Sequence, residues 1–336
     1  MKNLKDIPRI KLTEYPTPMT NASALAKEIG LSKLLIKRDD LIGFAGGGTK
    51  VRKLEYDLPE ILENDYDVVL AAGGIQSNHA RILSAAAKKF NIVTKLVLGG
   101  PKATAYNGNL LIDILFGAEI KFLVDDDDND HLTAAMNEWA EELKRKGMRP
   151  YISPIGGSTP RGSIGCINAI GEIADQLTTG EKVQIVLPVG SCGTYAGFVL
   201  GSKLLMPNAR IIGISVSRTS EAIKKRSLEI IEDCCKLLNI NYDANDYKLE
   251  PYDQYFDEYG ISTKSGKDAL LKCANTEGIL FDPIYTAKAM AGLIDLADRG
   301  ILNKEITTIF LHTGGLPILF SFEKTLLKYN YSKHPS

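Results

Sequence analysis

Lys50 stands where a glycine-rich loop empties into a helix, in the stretch Gly46-Gly47-Gly48-Thr49-Lys50-Val51-Arg52-Lys53-Leu54-Glu55-Tyr56. Glycines let the backbone take positive φ and approach a ligand closely, and the first amides of a helix are unpaired donors for an anion. The lysine is thereby placed like a reactive amine. A nucleotide P-loop would need G-x-x-x-x-G-K-[ST]; Gly43 and Gly48 have that spacing, but Thr49 precedes Lys50, so the order is reversed. Read alone, Lys50 fits a solvated surface lysine as well. A second candidate is the turn Pro188-Val189-Gly190-Ser191-Cys192-Gly193-Thr194, which follows the buried run Val183 to Leu187. Helix-start amides with the Ser191 and Thr194 hydroxyls outline a phosphate cradle, although such turns also serve packing. The turn does not match G-x-G-x-x-G, so a dinucleotide site loses support.

Other clusters point away from metal chemistry. The run Asp125 to Asp128 lacks EF-hand spacing and reads as a solvated turn with helix-start charge. Cys166, Cys192, Cys234, Cys235 and Cys273 form no C-x-x-C pair and are odd in number, which argues against disulfides and zinc. His79, His131, His312 and His334 also lack ligand spacing, so no metal is expected.

Elements must hold these residues in place. After an irregular start with Pro8, Pro16 and Pro18, Leu34 to Arg38 reads as a strand that delivers Asp39-Asp40 into the glycine loop. Asp67 to Ala72 is a short buried strand, followed by Gly73-Gly74 and an alanine-rich helix from Ser77 through Phe90. Strand signals recur at Ile92 to Leu98, Glu119 to Leu123, near Tyr151, at Val183 to Leu187, Ile211 to Val216 and Ile306 to Leu311. Helical patterns lie between them, at Asn107 to Phe116, Met136 to Lys146, through Ile170, Glu221 to Leu238, Lys267 to Thr276 and Thr286 to Ala297. Strands alternating with helices imply α/β architecture with a mainly parallel sheet. Aromatic and acidic residues between Tyr252 and Tyr259 form a loop that serves either packing or an active-site wall.

A chain of 336 residues suits two domains or one large α/β body. Its net charge of -1 and 44% hydrophobic content give no basic excess for nucleic acid and no bias to disorder, leaving a small molecule as the default partner. The first six residues lack the apolar core of a signal peptide, and no apolar run approaches the ~20 residues of a membrane span. A soluble, cytoplasmic protein without membrane contact is expected.

Three segments then carry a resemblance: Lys37-Arg38-Asp39-Asp40, Gly47 through Tyr56, and Gly73-Gly74-Ile75-Gln76-Ser77-Asn78-His79-Ala80-Arg81. With Tyr106-Asn107-Gly108-Asn109-Leu110, Asp282 through Met290 and His312-Thr313-Gly314-Gly315, the chain resembles the pyridoxal-phosphate family of 1-aminocyclopropane-1-carboxylate (ACC) deaminase and D-cysteine desulfhydrase over nearly its whole length. The resemblance implies the fold-type II architecture, tryptophan synthase β-like, with two three-layer α/β/α domains. Residues 1–53 plus 164–336 would form the large domain and 54–163 the small one, with pyridoxal 5'-phosphate in the cleft and a homodimer as the assembly.

What the resemblance implies for single residues follows the chemistry of that cofactor, which needs an amine, a phosphate seat and a partner for the ring nitrogen. Lys50 matches the Schiff-base lysine and the base that takes the Cα proton. Lys53 with Ser191, Cys192, Gly193 and Thr194 matches the phosphate contacts, and Asn78 the partner of the phenolic oxygen. Ser77, Asn78 and His79 open a helix whose amides match the substrate-carboxylate site, an N-cap role for Ser77 being compatible. Tyr259 and Tyr285 match two active-site tyrosines that steer the leaving group and proton transfer. Three positions favour the desulfhydrase form: His79 where deaminases carry glutamine, Thr286 where they carry the glutamate that faces the ring nitrogen, and Thr313 where they carry leucine. A hydroxyl cannot hold a proton on that nitrogen as a carboxylate does, so the electron sink is weaker and suits loss of a thiolate. Thr49, where asparagine is usual, and Ile82-Leu83 after Arg81, where glutamine is common, depart from the pattern. The expected activity is a lyase that converts D-cysteine to pyruvate, ammonia and sulfide. Its rivals are ACC deamination, elimination from D-serine, 3-chloro-D-alanine or L-cysteate, a pyridoxal-phosphate carrier without turnover, and a nucleotide-binding protein.

Overall fold

Short runs of Val, Ile and Leu become ten strands sorted into two sheets in the computed structural model, which describes residues 4–102, 105–257 and 260–333. In chain order they are β1 (Met19–Asn21), β2 (Leu34–Arg38), β3 (Val68–Gly74), β4 (Val93–Gly100), β5 (Glu119–Val124), β6 (Pro150–Ser153), β7 (Val183–Val189), β8 (Arg210–Ser215), β9 (Glu250–Tyr252) and β10 (Thr307–His312). The larger sheet has the order β1-β2-β10-β7-β8-β9 and the smaller β5-β4-β3-β6. Every pairing is parallel except that of β1 with β2. Parallel strands need helical crossovers, which cover both faces of each sheet.

On one face of the larger sheet the helices Pro160–Gln176, Gly193–Leu205 and Ser220–Leu238 bury Ile167, Phe198 and Ile231 against Ile185 and Ile309. On the other, Ser23–Glu28, Lys264–Glu277 and Thr286–Asp298 close over Ile36, Ile212 and Phe310. The smaller sheet lies between the helices Lys50–Glu63 and Asn78–Lys89 on one side and Asn129–Arg145 on the other. The fold is thus the expected pair of three-layer α/β/α units. The boundaries expected after Lys53 and Ser163 both fall inside helices, which cross at Gly165: a β-carbon there would lie 2.6 Å from the Arg52 carbonyl carbon.

The helix that begins with Lys50 serves both cores. Val51, Leu54, Leu58 and Ile61 pack with the smaller sheet, and Tyr56 with the larger. Pro59 inside it has no N–H, which frees the carbonyl of Glu55. Ile10 donates its amide to that carbonyl at 2.9 Å, and the buried Glu55 carboxylate accepts from Arg9, Leu12 and Thr13. The proline therefore ties the amino-terminal segment onto the helix.

Five features were not foreseen. β1 is three residues long and β9 contains Pro251, so both are edge strands too short to show a period. The helix expected from Met136 begins at Asn129, because Asp128 caps it by accepting from the amides of Asp130 and His131. Helices Leu316–Ser321 and Glu323–Lys333 follow the turn at Gly314-Gly315.

Candidate active site

The carboxyl ends of β2, β3, β7 and β10 deliver the glycine loop, the Ser77 helix start, the Gly190 turn and Thr313 to one cleft between the sheets. Its atom-free space, open solvent at the mouth included, is about 1020 Å³, which admits a small molecule. Lys50, Ser77, Asn78, His79, Ser191, Cys192, Thr194, Tyr285 and Thr313 all line it. Tyr259 lies outside the described residues.

Backbone contact fixes the Lys50 loop. Gly48 has φ +116° and Gly314 φ +99°, and a β-carbon on Gly314 would come within 2.6 Å of Gly48 Cα. Thr49 donates its amide to the Thr313 carbonyl at 3.0 Å and its hydroxyl to Asp39 Oδ2 at 2.9 Å. Below it, the buried Arg52 guanidinium forks onto Asp39 and reaches Glu172 at 2.6 Å; Lys37 also pairs with Glu172. Burial alone would raise the Asp39 pKa, but the charge and hydrogen bonds of Arg52, with Lys37 and Thr17, outweigh it and hold the carboxyl below the usual range. From the other side, Arg81 donates to the carbonyls of Ala45 and Gly47 and to Asn78 Oδ1. Thr49 is thus a structural hydroxyl rather than a spare one.

At the cleft, Lys50 Nζ and Lys53 Nζ donate to the same Gly156 carbonyl, at 3.0 and 3.2 Å. Removal of its amine from water, with Lys53 as a close like charge, pushes the Lys50 pKa well below the usual lysine range. Burial also lowers that of Lys53, though less. Lys50 is therefore the readier to be a neutral nucleophile and Lys53 the readier to stay an ammonium.

Lys53 faces an anion seat. Its Nζ donates to Ser158 Oγ at 3.3 Å; Ser158 in turn donates to Ser191 Oγ at 2.8 Å and accepts the Gly193 amide at 3.2 Å. Cys192 precedes the helix in a left-handed conformation, φ 69°, unusual for a residue with a β-carbon, and so turns the helix-start amides into the seat. A β-carbon on Gly193 would fall 2.7 Å from both Lys53 Nζ and Ser158 Oγ, and one on Gly156 would fall 3.3 Å from Lys50 Nζ. The glycines leave room for a phosphate between a buried ammonium, two hydroxyls and a helix start, so the residues present fit pyridoxal phosphate.

Across the cleft, Ser77 caps the helix Asn78–Lys89, its hydroxyl accepting the Ala80 amide at 3.2 Å. Asn78 Oδ1 accepts from Asn109 Nδ2 at 2.9 Å, which leaves its NH2 group as the donor side. His79 is buried with Nε2 on Ser153 Oγ at 2.8 Å and Gly157 packed against the ring. Burial, with the Lys50 and Lys53 charges, drives its pKa well below the usual range, so the ring is neutral.

Thr286 corrects an expectation. It is fully buried and is not on the cleft wall; its hydroxyl donates to Asp282 Oδ2 at 2.6 Å and accepts the Asp282 amide at 2.8 Å. The buried Asp282 carboxylate needs that donor, which a hydroxyl supplies and a glutamate would not. The hydroxyl from this part of the chain that does reach the cleft is that of Thr313. Sequence reasoning also missed Ser158, Asp127 and Arg218. Only Ser158 had a signal, in Gly156-Gly157-Ser158-Thr159-Pro160 before a helix; Asp127 and Arg218 reach the wall through loops whose paths no periodicity encodes.

Comparison with known proteins agrees with a pyridoxal-phosphate cofactor. The family model described as pyridoxal-phosphate dependent enzyme matches residues 10–314. A Pyrococcus horikoshii protein provisionally named 1-aminocyclopropane-1-carboxylate deaminase is 39% identical, with 96% of this chain and 97% of that one covered. D-cysteine desulfhydrase of Salmonella choleraesuis is 35% identical over 96% of this chain and 98% of its own length. The crystal structure of an ACC deaminase homologue superposes with a TM-score of 0.89 at 38% identity, covering 97% of each chain.

Proposed function

Because the chain belongs to the pyridoxal-phosphate-dependent enzymes, and within them to the ACC deaminase and D-cysteine desulfhydrase lyases, we propose that the bond it breaks is the Cβ–S bond of D-cysteine. With one water, the products are pyruvate, ammonia and hydrogen sulfide. The observation that carries the reading is the pair of lysines on the Gly156 carbonyl, one readied as a neutral amine and the other seated with a phosphate cradle, in a cleft whose opposite wall is a helix start.

Bound there, the cofactor supplies a sink for the electron pair freed at Cα. Lys53, Ser191, Cys192, Gly193 and Thr194 hold its phosphate, and the Asn78 amide donates to its phenolic oxygen. Ser77 and the helix-start amides of Asn78 and His79 fix the substrate carboxylate, which aligns the Cα–H bond with Lys50. The neutral Lys50 amine takes that proton at Nζ. As the Cβ–S bond breaks, sulfur leaves with the bonding pair on the side of Tyr285, which with Tyr259 completes the proton transfers. Thr313 and the neutral His79 add no charge of their own to the cleft.

Two of the three positions that favoured a desulfhydrase, His79 and Thr313, face the cleft, and Thr286 does not. The second reading, ACC deamination, is favoured by the name of the 39% identical archaeal relative. We read residues 54–163 as the small domain and a homodimer as the assembly, the latter measurable by sedimentation. The test of function is absorbance of the purified protein, then D-cysteine and ACC in parallel. A visible band lost in Lys50→Ala, with pyruvate and sulfide from D-cysteine, is expected. Formation of 2-oxobutanoate from ACC without sulfide from D-cysteine would establish the second reading instead.

A further inference from the structure

Two carboxylate and guanidinium side chains line the cleft beside the lysine and histidine already described: Asp127 and Arg218. Asp127 is exposed at the mouth, where solvent screens it. Arg218 is half-buried and anchored. The Ser215 hydroxyl accepts the Arg218 amide at 2.9 Å and donates to the Arg218 carbonyl at 2.6 Å, which fixes the backbone. Nε then donates to the Gly190 carbonyl at 3.1 Å, which fixes the side chain. The Nη1 and Nη2 groups have no partner among the described residues.

Gly190 relates Arg218 to the rest of the site. The Tyr285 ring lies 3.9 Å from where a β-carbon on Gly190 would stand, so the tyrosine and the guanidinium meet at the same turn. The guanidinium follows β8 of the larger sheet whereas the Ser77 helix start, which takes the carboxylate, follows β3 of the smaller one; on the turn that leads to the Lys53 and Gly193 seat, which takes the phosphate, Arg218 holds the Gly190 end. We infer that Arg218 is the cationic wall of the leaving-group pocket: its free Nη groups hydrogen-bond the sulfur as it departs from Cβ with the bonding electron pair and becomes a thiolate. The inference rests on the proposed elimination and deepens it, because it makes an anion-forming β-substituent the class of substrate preferred. A charge-assisted donor fixed before the reaction acts on the charge that develops, so its weight is in turnover more than in binding.

The test compares holoenzyme carrying Arg218→Gln or Arg218→Lys with wild type on two substrates that share the Cα chemistry. D-cysteine loses a basic thiolate; 3-chloro-D-alanine loses chloride, which needs little stabilisation. Arg218→Gln is expected to lower kcat for D-cysteine about 10- to 100-fold, with KM little changed, and kcat for 3-chloro-D-alanine less than about threefold, while Arg218→Lys restores part of the loss. Two readouts separate this from a structural role: cofactor affinity by visible-absorbance titration and exchange of the Cα proton of D-alanine in deuterium oxide both stay at wild-type values. Equal losses on both substrates, no loss on either, or slowed exchange overturn the inference. Wild-type protein that eliminates from neither substrate overturns the proposed function as well.

Discussion

Replacing Gly165 by alanine sets two effects of known sign against each other. Gly165 is in the interior of the helix Pro160–Gln176, where alanine is the better helix former by about 1 kcal/mol. Packing opposes this, since the new β-carbon would stand 2.6 Å from the Arg52 carbonyl carbon, where ordinary contact begins at 3.4 Å. The helices must part by more than ~0.8 Å, because the Arg52 carbonyl oxygen lies nearer still, and the Arg52 segment cannot yield cheaply because its guanidinium is held by Asp39 and Glu172. Overpacking of this kind costs about 1–3 kcal/mol, so packing wins and the net loss is up to about 2 kcal/mol. The displacement also passes to Lys50, two residues before Arg52, and a shift near 1 Å at a reacting group costs about 10²-fold in rate. Urea unfolding followed by far-ultraviolet circular dichroism measures the first loss, as a lower midpoint at constant slope. Turnover of D-cysteine measures the second. An alanine variant at least as stable as wild type, with kcat within twofold of it, would refute the reasoning, for it would mean that the helix crossing has slack.

Four further outcomes follow from the buried charges. Lys53→Met is expected to weaken pyridoxal phosphate by one to two orders of magnitude, read by absorbance titration, with Lys50 still able to react with excess cofactor. Arg52→Met leaves the buried Asp39 carboxylate without its ion-pair partner, while Glu172 keeps Lys37, and should cost about 3–5 kcal/mol in urea unfolding. Asp39 has a folded pKa below its ordinary 3.8, so its contribution is complete at neutral pH and is lost as pH falls below about 4; Asp39→Asn should flatten that acid limb of the stability profile. Asp57 behaves oppositely. Burial outweighs the hydrogen bond from Thr159 and the charges of Lys53 and Arg161, and raises its pKa from 3.8 to about 7. The folded protein then holds a proton the unfolded chain has released, so stability falls as pH rises from 4 to 7. Asp57→Asn should remove that slope and stabilise the protein at pH 8, by as much as about 4 kcal/mol.

Much of this was legible because several signals were local. β3 and β7 announce themselves as apolar runs ended by small residues, β2 as a short apolar run that leads into Asp39-Asp40, and the loop before Lys50 has no helical or strand period to compete with its glycines. The cleft assembles as expected because parallel strands bring their carboxyl ends, and the turns that follow them, to one edge. What escaped was fixed by hydrogen bonds that leave no period in the sequence. Thr286 looks like a cleft residue from its place after Tyr285, yet the buried Asp282 carboxylate turns it inward. Arg218 reaches the cleft because Ser215 and Gly190 hold it there, and neither contact has a sequence period. Pro59 stays inside its helix because Ile10, far away in sequence, takes the freed carbonyl of Glu55.

The order of strands in the larger sheet has a consequence for biosynthesis. All four strands of the smaller sheet leave the ribosome consecutively and can pair as they emerge, whereas β2 can at first pair only with the three-residue β1 and gains its parallel neighbour when β10, about 270 residues further on, has been translated. The Gly48–Gly314 contact and the Thr49–Thr313 hydrogen bond also await that moment. Non-local pairing of this kind is slow and leaves an apolar edge open meanwhile. A nascent chain therefore lacks a positioned Lys50 until β10 and the Thr313–Gly314 turn have been translated, and acquires its reactive amine in one step. Ribosome-stalled chains ending before Thr307 should accordingly fail to develop the cofactor's visible band, while those extended past Gly315 and clear of the exit tunnel develop it.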